Sequence, residues 1–345
     1  MCRRMQRFDC LPEYIGKICM LLYITEIVSY GFLTVVLLVQ LAFAQECAQT
    51  IPFSVSNQRI ALGSSELGAR LLQARTGHLQ LRIEGVDKVP TRRVLVLVDR
   101  SGSMATRDEV WSHTSKAAKT AEEVAENFVM QIPPGVFVGY GVFQERLFPA
   151  DGFARDSNTL QDNIRNAKEK IVGRKNGTAI YDALAEGLFL FGETQPGDVI
   201  LLITDGGDNQ SKHSSREIEN SLRQADVPLF LLLVSGHMAV PEEIEARDAL
   251  ITMARQTGGM VHLLDAGNPA WGFDKPTAAA AQEINNFLHL QLLFSYRLRV
   301  AVPPSSKNTQ RWTLAVRADA DARWRDVKLS YPDRLQPCAL PITTR

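Results

Sequence analysis

Between Arg93 and Phe294, short apolar runs alternate with longer stretches of helical periodicity, and this alternation constrains the fold more than any other feature of the chain. Repeated βα units of this kind build a parallel sheet with helices packed on it. Val94–Val98 and Val199–Ile203 are continuously apolar, the pattern of central strands buried on both faces. Strands are also expected at Val136–Phe143, Leu229–Val234 and Val261–Leu264, with Glu145–Phe148 as a short antiparallel edge. Apolar residues three and four apart place helices at Asp108–Gln131, Leu160–Val172, Ala179–Phe191, Arg216–Gln224, Glu242–Gln256 and Ala278–Leu293. The expected fold class is α/β: a doubly wound, mostly parallel sheet.

After Phe294 the period changes to two. Tyr296–Val302, Trp312–Arg317 and Trp324–Ser330 read as strands, and so does His78–Ile83 upstream. The expected organisation is therefore a leader over residues 1–44, a β-rich extension over 45–90, the α/β domain over 91–294 and a second β-rich extension over 295–345. The two extensions are expected to form a small flanking β module.

The leader holds Arg3, Arg4, Arg7 and Lys17 against Asp9, Glu13 and Glu26, and Ile27–Ala44 is nearly all apolar, closing on Ala42-Phe43-Ala44. A basic start, an apolar centre and a small-residue site read as a Sec-type signal peptide. About 18 apolar residues also suffice to cross a bilayer, so an uncleaved N-terminal membrane anchor is the alternative. Either form puts the rest of the protein outside the cytoplasm: secreted, periplasmic or in the cell envelope, and membrane-attached only through an uncleaved leader. Of the five cysteines, three lie in the leader, leaving Cys47 and Cys338. In an oxidising compartment that pair is expected to be bridged, with two separate thiols as the alternative. A loop this long would contribute about 4 to 5 kcal/mol in the chain-entropy model.

Lys and Arg total 38, as do Asp and Glu. A neutral chain lacks the basic excess that phosphate backbones require, so no nucleic-acid partner is expected.

Asp99 and Asp205 each follow an apolar strand, and Ser101 and Ser103 lie in the loop after the first of these strands. Ligands of open α/β sheets bind outside the carboxyl ends of the strands, where both carboxylates are delivered. Thr178 opens a helix from the same side, after Gly177. Ser101, Ser103 and Thr178 offer neutral oxygens and Asp99 and Asp205 offer charge, a donor set that suits Mg²⁺, which takes hard oxygen ligands and retains waters. Each piece also has a local explanation: the serines as the start of a helical turn, Thr178 as a helix N-cap, Asp205-Gly206 as a turn pair. Arg107, His113, Asp208, Lys212 and His213 are candidates for a rim that selects a partner, or are solvated loop residues.

Together these residues resemble the von Willebrand factor type A domain with its metal-ion-dependent adhesion site. The motif DxSxS matches Asp99, Ser101 and Ser103, the second-loop threonine matches Thr178, and the third-loop aspartate matches Asp205. The resemblance covers about residues 91 to 294; Asn176 stands where many bacterial members have glycine. The whole layout is similar to that of secreted bacterial proteins related to von Willebrand factor type A. The resemblance implies a Rossmann-like fold, a divalent cation (Mg²⁺, with Mn²⁺ or Ca²⁺ as alternatives) and a protein partner offering an Asp or Glu carboxylate, without catalysis. The alternatives are a structural envelope protein whose domain does not use the metal, and a metal-dependent hydrolase. The sequence holds no GxSxG elbow and no HExxH spacing, and Gly173–Thr178 lacks the GK[ST] ending of a phosphate loop, so no enzyme is expected.

Overall fold

The computed structural model describes residues 47–56, 67–104, 116–171, 177–235, 241–265, 284, 287–288, 292–302, 309–321, 324 and 327–337. Nearly all of them belong to one compact unit, Ala48–Ala301 with Asn308–Pro337; of the other unit only Cys47 and Val302 are described.

Three strands precede the α/β region: β1 (Cys47–Ser56), β2 (Leu72–Thr76) and β3 (Leu79–Pro90). Then follow β4 (Arg93–Asp99), helix α1 (Lys116–Met130), β5 (Phe137–Phe143), β6 (Leu147–Pro149), α2 (Ser157–Glu169), α3 (Ile180–Leu190), β7 (Asp198–Thr204), α4 (Ser215–Gln224), β8 (Leu229–Ser235), α5 (Pro241–Gln256) and β9 (Val261–Asp265). These six strands form one sheet in the order β6-β5-β4-β7-β8-β9. Every neighbouring pair is parallel except β5 with β6, the expected antiparallel edge.

The continuous apolar runs explain the layering. In β4, Val94, Val96 and Val98 face one core, with Ala121, Phe128, Leu160 and Phe287; Leu95 and Leu97 face the other, with Ile180, Leu184, Leu222 and Leu250. Strand β7 divides in the same way, Leu201 to the first core and Leu202 to the second. A strand with helices on both faces has no polar side, so the alternation vanishes and the run becomes wholly apolar. The chain leaves β4 in one direction across the sheet and returns to β7 on β4's other flank. The crevice at that reversal is where α/β sheets bind ligands.

A second six-stranded sheet has the order β12-β2-β3-β10-β1-β13, built with β10 (Phe294–Val302), β12 (Thr313–Val316) and β13 (Lys328–Ser330); β11 (Gln310–Arg311) pairs separately with β14 (Arg334–Leu335). Strands β3 and β10 are the entry to and exit from the α/β region, and they pair antiparallel with Pro90 opposite Phe294. Just beyond, Thr91 donates its backbone N–H to the Leu293 carbonyl at 3.1 Å and its hydroxyl to that of Leu292 at 2.8 Å. Sequence periodicity ends the upstream strand at Ile83, but β3 runs on to Pro90. A register shift at Arg299/Val300 leaves Glu84 without an opposite residue and re-phases the alternation, hiding the second half of the strand. The expected strand at Trp324–Ser330 shortens to β13, because Trp324 sits in a 3-10 turn and is 2% exposed. A large indole gains more from burial in a core than from a place in a half-exposed ladder.

Several expectations fall outside the described residues: the leader over 1–44, the start of the first long helix, most of the helix at 278–293, Asn176, and Cys338 with its expected pairing to Cys47. Ile284, Phe287 and Leu288 of that last helix are described, and all three are buried in the first core. Among the described residues, no helix is long and apolar enough to cross a membrane.

Candidate functional site

Three loops meet at the carboxyl edge of the parallel sheet. Asp99 ends β4 and is fully buried. Its Oδ1 accepts the Ser101 backbone N–H at 2.8 Å and its Oδ2 accepts the Thr204 hydroxyl at 2.6 Å. Thr204, the last residue of β7, in turn accepts the Gly206 N–H at 3.0 Å. The first and third loops are thereby joined through one carboxylate. Asp205 follows, its Oδ1 accepting the Gly207 N–H at 3.3 Å. Gly206 has φ +96°, a left-handed conformation that disfavours a side chain.

The second loop is held just as closely. Thr178, 1% exposed, receives at its carbonyl the N–H groups of Asn209 and Gln210, and its own N–H donates to Asn209 Oδ1 at 2.9 Å. Gln144 bridges the first and second loops, its side-chain nitrogen donating to the Arg100 carbonyl and its carbonyl accepting the Ala179 N–H, both at 2.8 Å. Arg100 is tied down further by an ion pair with Glu122 of α1 at 2.8 Å, and Lys168 of α2 shares that carboxylate at 2.9 Å.

The electrostatics favour a positive charge beside Asp99. The Asp99 carboxyl is pushed up to about 7, chiefly by burial and next by the charge of Asp205, against hydrogen bonds from Ser101 and Thr204. Burial and a neighbouring negative charge both raise the cost of ionising Asp99. A divalent ion would remove that cost, and Ser101 and Thr178, both about 1% exposed, supply neutral oxygen chemistry at the same loops. Among the described residues no group of three or more His, Cys, Asp or Glu converges to hold a metal, so any ion here depends on hydroxyls beside two carboxylates. Those residues fit a hard cation. Ser103 lies in the 3-10 turn Gly102–Met104, and its side chain is not among those described.

The rim candidates separate. Arg107 and His113 lie outside the described residues. Asp208 faces inward: its Oδ2 accepts the N–H groups of Ile180 and Tyr181 at 2.8 and 3.1 Å and the Ser211 hydroxyl at 2.6 Å. It therefore caps α3, whose N-cap position is Ala179, a residue with no capping side chain. The local reading of Thr178 as the N-cap is corrected by that geometry. Asp182 is also spent on backbone, accepting the N–H groups of Lys212 and His213 at 3.0 Å and the His213 ring at 2.7 Å. The Lys212 side chain is left exposed.

Sequence reasoning gave no role to Thr204, Gln144, Asn209 or Asp182. Only Thr204 carried a signal, as a polar residue closing an apolar strand just before an acidic one; the others act across 30 or so residues or more of chain. Asp208→Ala is expected to destabilise the protein by about 1 to 2 kcal/mol through loss of the α3 cap, measured by urea unfolding. A change within a few tenths of a kcal/mol would contradict the capping role.

Residues 94–207 match the family model described as von Willebrand factor type A domain. A comparison with curated proteins finds no match. Among solved structures, similar ones include the von Willebrand factor type A protein from Catenulispora acidiphila, 12% identical over 83% of this chain and 72% of that one, with a TM-score of 0.40. BatB from Bacteroides thetaiotaomicron is 14% identical over 58% of this chain and 98% of its own, with a TM-score of 0.42. Proximal thread matrix protein 1 from the mussel byssus, described with a zinc-occupied MIDAS motif, is 16% identical over 62% of this chain and 50% of its own, with a TM-score of 0.44.

Proposed function

We propose that this protein is a non-enzymatic, extracytoplasmic binding module that presents a divalent cation, Mg²⁺ first, to an Asp or Glu side chain of a partner protein. One observation carries the reading: a fully buried carboxylate, Asp99, faces the charge of Asp205 at the switch point of the sheet, with its proton affinity raised accordingly. A buried acid beside a second, half-buried one is costly to ionise, and a cation at that place offsets the cost.

The residues that would hold the ion are Asp99, Ser101, Ser103, Thr178 and Asp205. When bound, the ion would supply a Lewis-acidic centre, and with neutral hydroxyls among its donors and a carboxylate able to act through water it could take one more anionic oxygen. The chain's own part is positional. Thr204 and the Ser101 N–H fix both oxygens of Asp99, Asn209 and Gln210 hold Thr178, and Gln144 locks the first loop to the second. Binding rather than bond cleavage is the function proposed because the hydroxyls and carboxylates here are engaged with one another and with backbone N–H groups. Placement outside the cytoplasm rests on the leader sequence, and Mn²⁺ or Ca²⁺ remain alternatives to Mg²⁺.

Calorimetric titration of Mg²⁺ and Mn²⁺ into the full chain, beside a Ser101→Ala/Ser103→Ala double variant, tests this. The expected result is saturable binding in the wild type and at least about tenfold weaker binding in the variant, from loss of two ligands of a hard-cation site. Wild-type protein that binds neither ion would sink the proposal.

A further inference from the structure

We infer that Arg247 is a second anchor for the partner, so that the site takes an acidic peptide segment bearing at least two carboxylates, one for the ion and a neighbouring one for this guanidinium. The inference rests on the metal-dependent reading above and adds the partner's charge pattern to it.

Arg247 projects from the first half of α5 to the third loop, where its Nε donates to the Asp205 carbonyl at 2.6 Å. That carbonyl belongs to a candidate ion ligand, so the guanidinium is held directly beside the site. The close approach depends on Gly206: a Cβ there would come within 2.5 Å of Arg247 Cγ. The glycine therefore serves two purposes, the left-handed turn and the space in which the arginine stem lies. The side chain is half-buried, and with its Nε fixed it loses little freedom on gripping an anion. Among the described residues, neither terminal nitrogen makes a hydrogen bond and no carboxylate pairs with it. On the same loop Asp208 is engaged on the α3 cap, and Asp182 of α3 accepts the Lys212 and His213 N–H groups. Lys212, exposed on the same loop, adds a second positive charge to the approach. An arginine anchored at Nε with a free terminal pair is arranged to grip a carboxylate with both of its oxygens.

The test uses Mg²⁺-loaded full chain and two synthetic peptides, acetyl-(Gly-Glu)3-amide and a control in which only one Glu is kept and the other two are Gln. Affinities are read by calorimetry or NMR shift titration for wild type, Arg247→Gln and Arg247→Lys. Wild type is expected to prefer the three-acid peptide by about tenfold, the scale of one charge-assisted contact. Arg247→Gln should lose that preference while binding Mg²⁺ and the one-acid peptide as wild type does, and Arg247→Lys should retain part of it. An undiminished preference in Arg247→Gln overturns the inference. So does a parallel loss of Mg²⁺ affinity in that variant, which would make Arg247 a tether of the third loop and nothing more. Wild type that binds no Mg²⁺ would instead remove the metal-dependent reading and the inference with it.

Discussion

Replacing Asp99 by Asn is expected to abolish Mg²⁺ binding and, at pH 8 without metal, to make the protein more stable than the wild type. Few ligand substitutions should do both, and the reason lies in linkage. Asp99 titrates at about 7 in the folded protein, against 3.8 as its ordinary value, because it is buried and faces Asp205. Between those values the folded state holds a proton that the unfolded chain has released. Stability from this group is therefore greatest below pH about 4, falls as pH rises towards 7 and is level above. At pH 8 the whole of this contribution is lost. Asparagine keeps the shape without the charge: its oxygen can accept the Ser101 N–H, and its amide can donate to Thr204 Oγ1.

The same linkage governs the metal. Because the ligand must be deprotonated, Mg²⁺ affinity is expected to weaken by up to about tenfold for each pH unit below 7 and to level off above it. Thermal unfolding of wild type and Asp99→Asn at pH 5 and pH 8, each with and without Mg²⁺, checks both statements. A metal-free wild type as stable at pH 8 as at pH 5, with no gain on going to Asn, would show that Asp99 is not held in a costly ionised state.

The second large effect lies at the opposite edge of the parallel sheet. Asp198→Ala is expected to destabilise the protein by about 3 to 5 kcal/mol while leaving the Mg²⁺ affinity of the folded protein unchanged. Asp198 begins β7 and Arg93 begins β4, directly across the ladder from one another. The aspartate is fully buried and is gripped through both oxygens, by Arg93 Nε at 2.7 Å and Nη2 at 2.5 Å, and it also accepts the Gln195 N–H at 2.7 Å. Arg93 in turn donates to the carbonyls of Phe191 and Glu193 and lies over the rings of Phe153 and Phe191. Removing the acid leaves a half-buried guanidinium without its counter-ion, the costly way to break such a pair. Denaturant unfolding with calorimetry on the same sample checks this; a loss under about 1 kcal/mol, or a parallel fall in metal affinity, would contradict it.

The parallel sheet was legible because a strand covered on both faces leaves an unmistakable trace, five apolar residues in a row, at Val94–Val98 and again at Val199–Ile203. Asp99 and Asp205 were legible for a related reason: an acid that ends such a strand has to emerge at the ligand-binding edge. The second sheet was only partly so. The Glu84 bulge re-phased β3, and Trp324 carried the aromatic signal of a strand while packing as core. The rim was misleading, since Asp208 has the composition of a solvated loop residue and caps a helix that begins 28 residues before it.

The sequence by itself therefore determined the α/β class, the order of strands and helices along the chain, and the identity of the acidic and hydroxyl groups at the candidate site, because each of these is written in local periodicity or in a residue's place at the end of its own strand. Only the tertiary structure decided which strands are neighbours, that Thr204 bonds Asp99, that Asp208 is spent on α3 and that Arg247 donates to the Asp205 carbonyl. Those are pairings across roughly 30 to 100 residues, set by how βα units stack on a twisted sheet, and nothing in the spacing of a single chain fixes where distant loops meet.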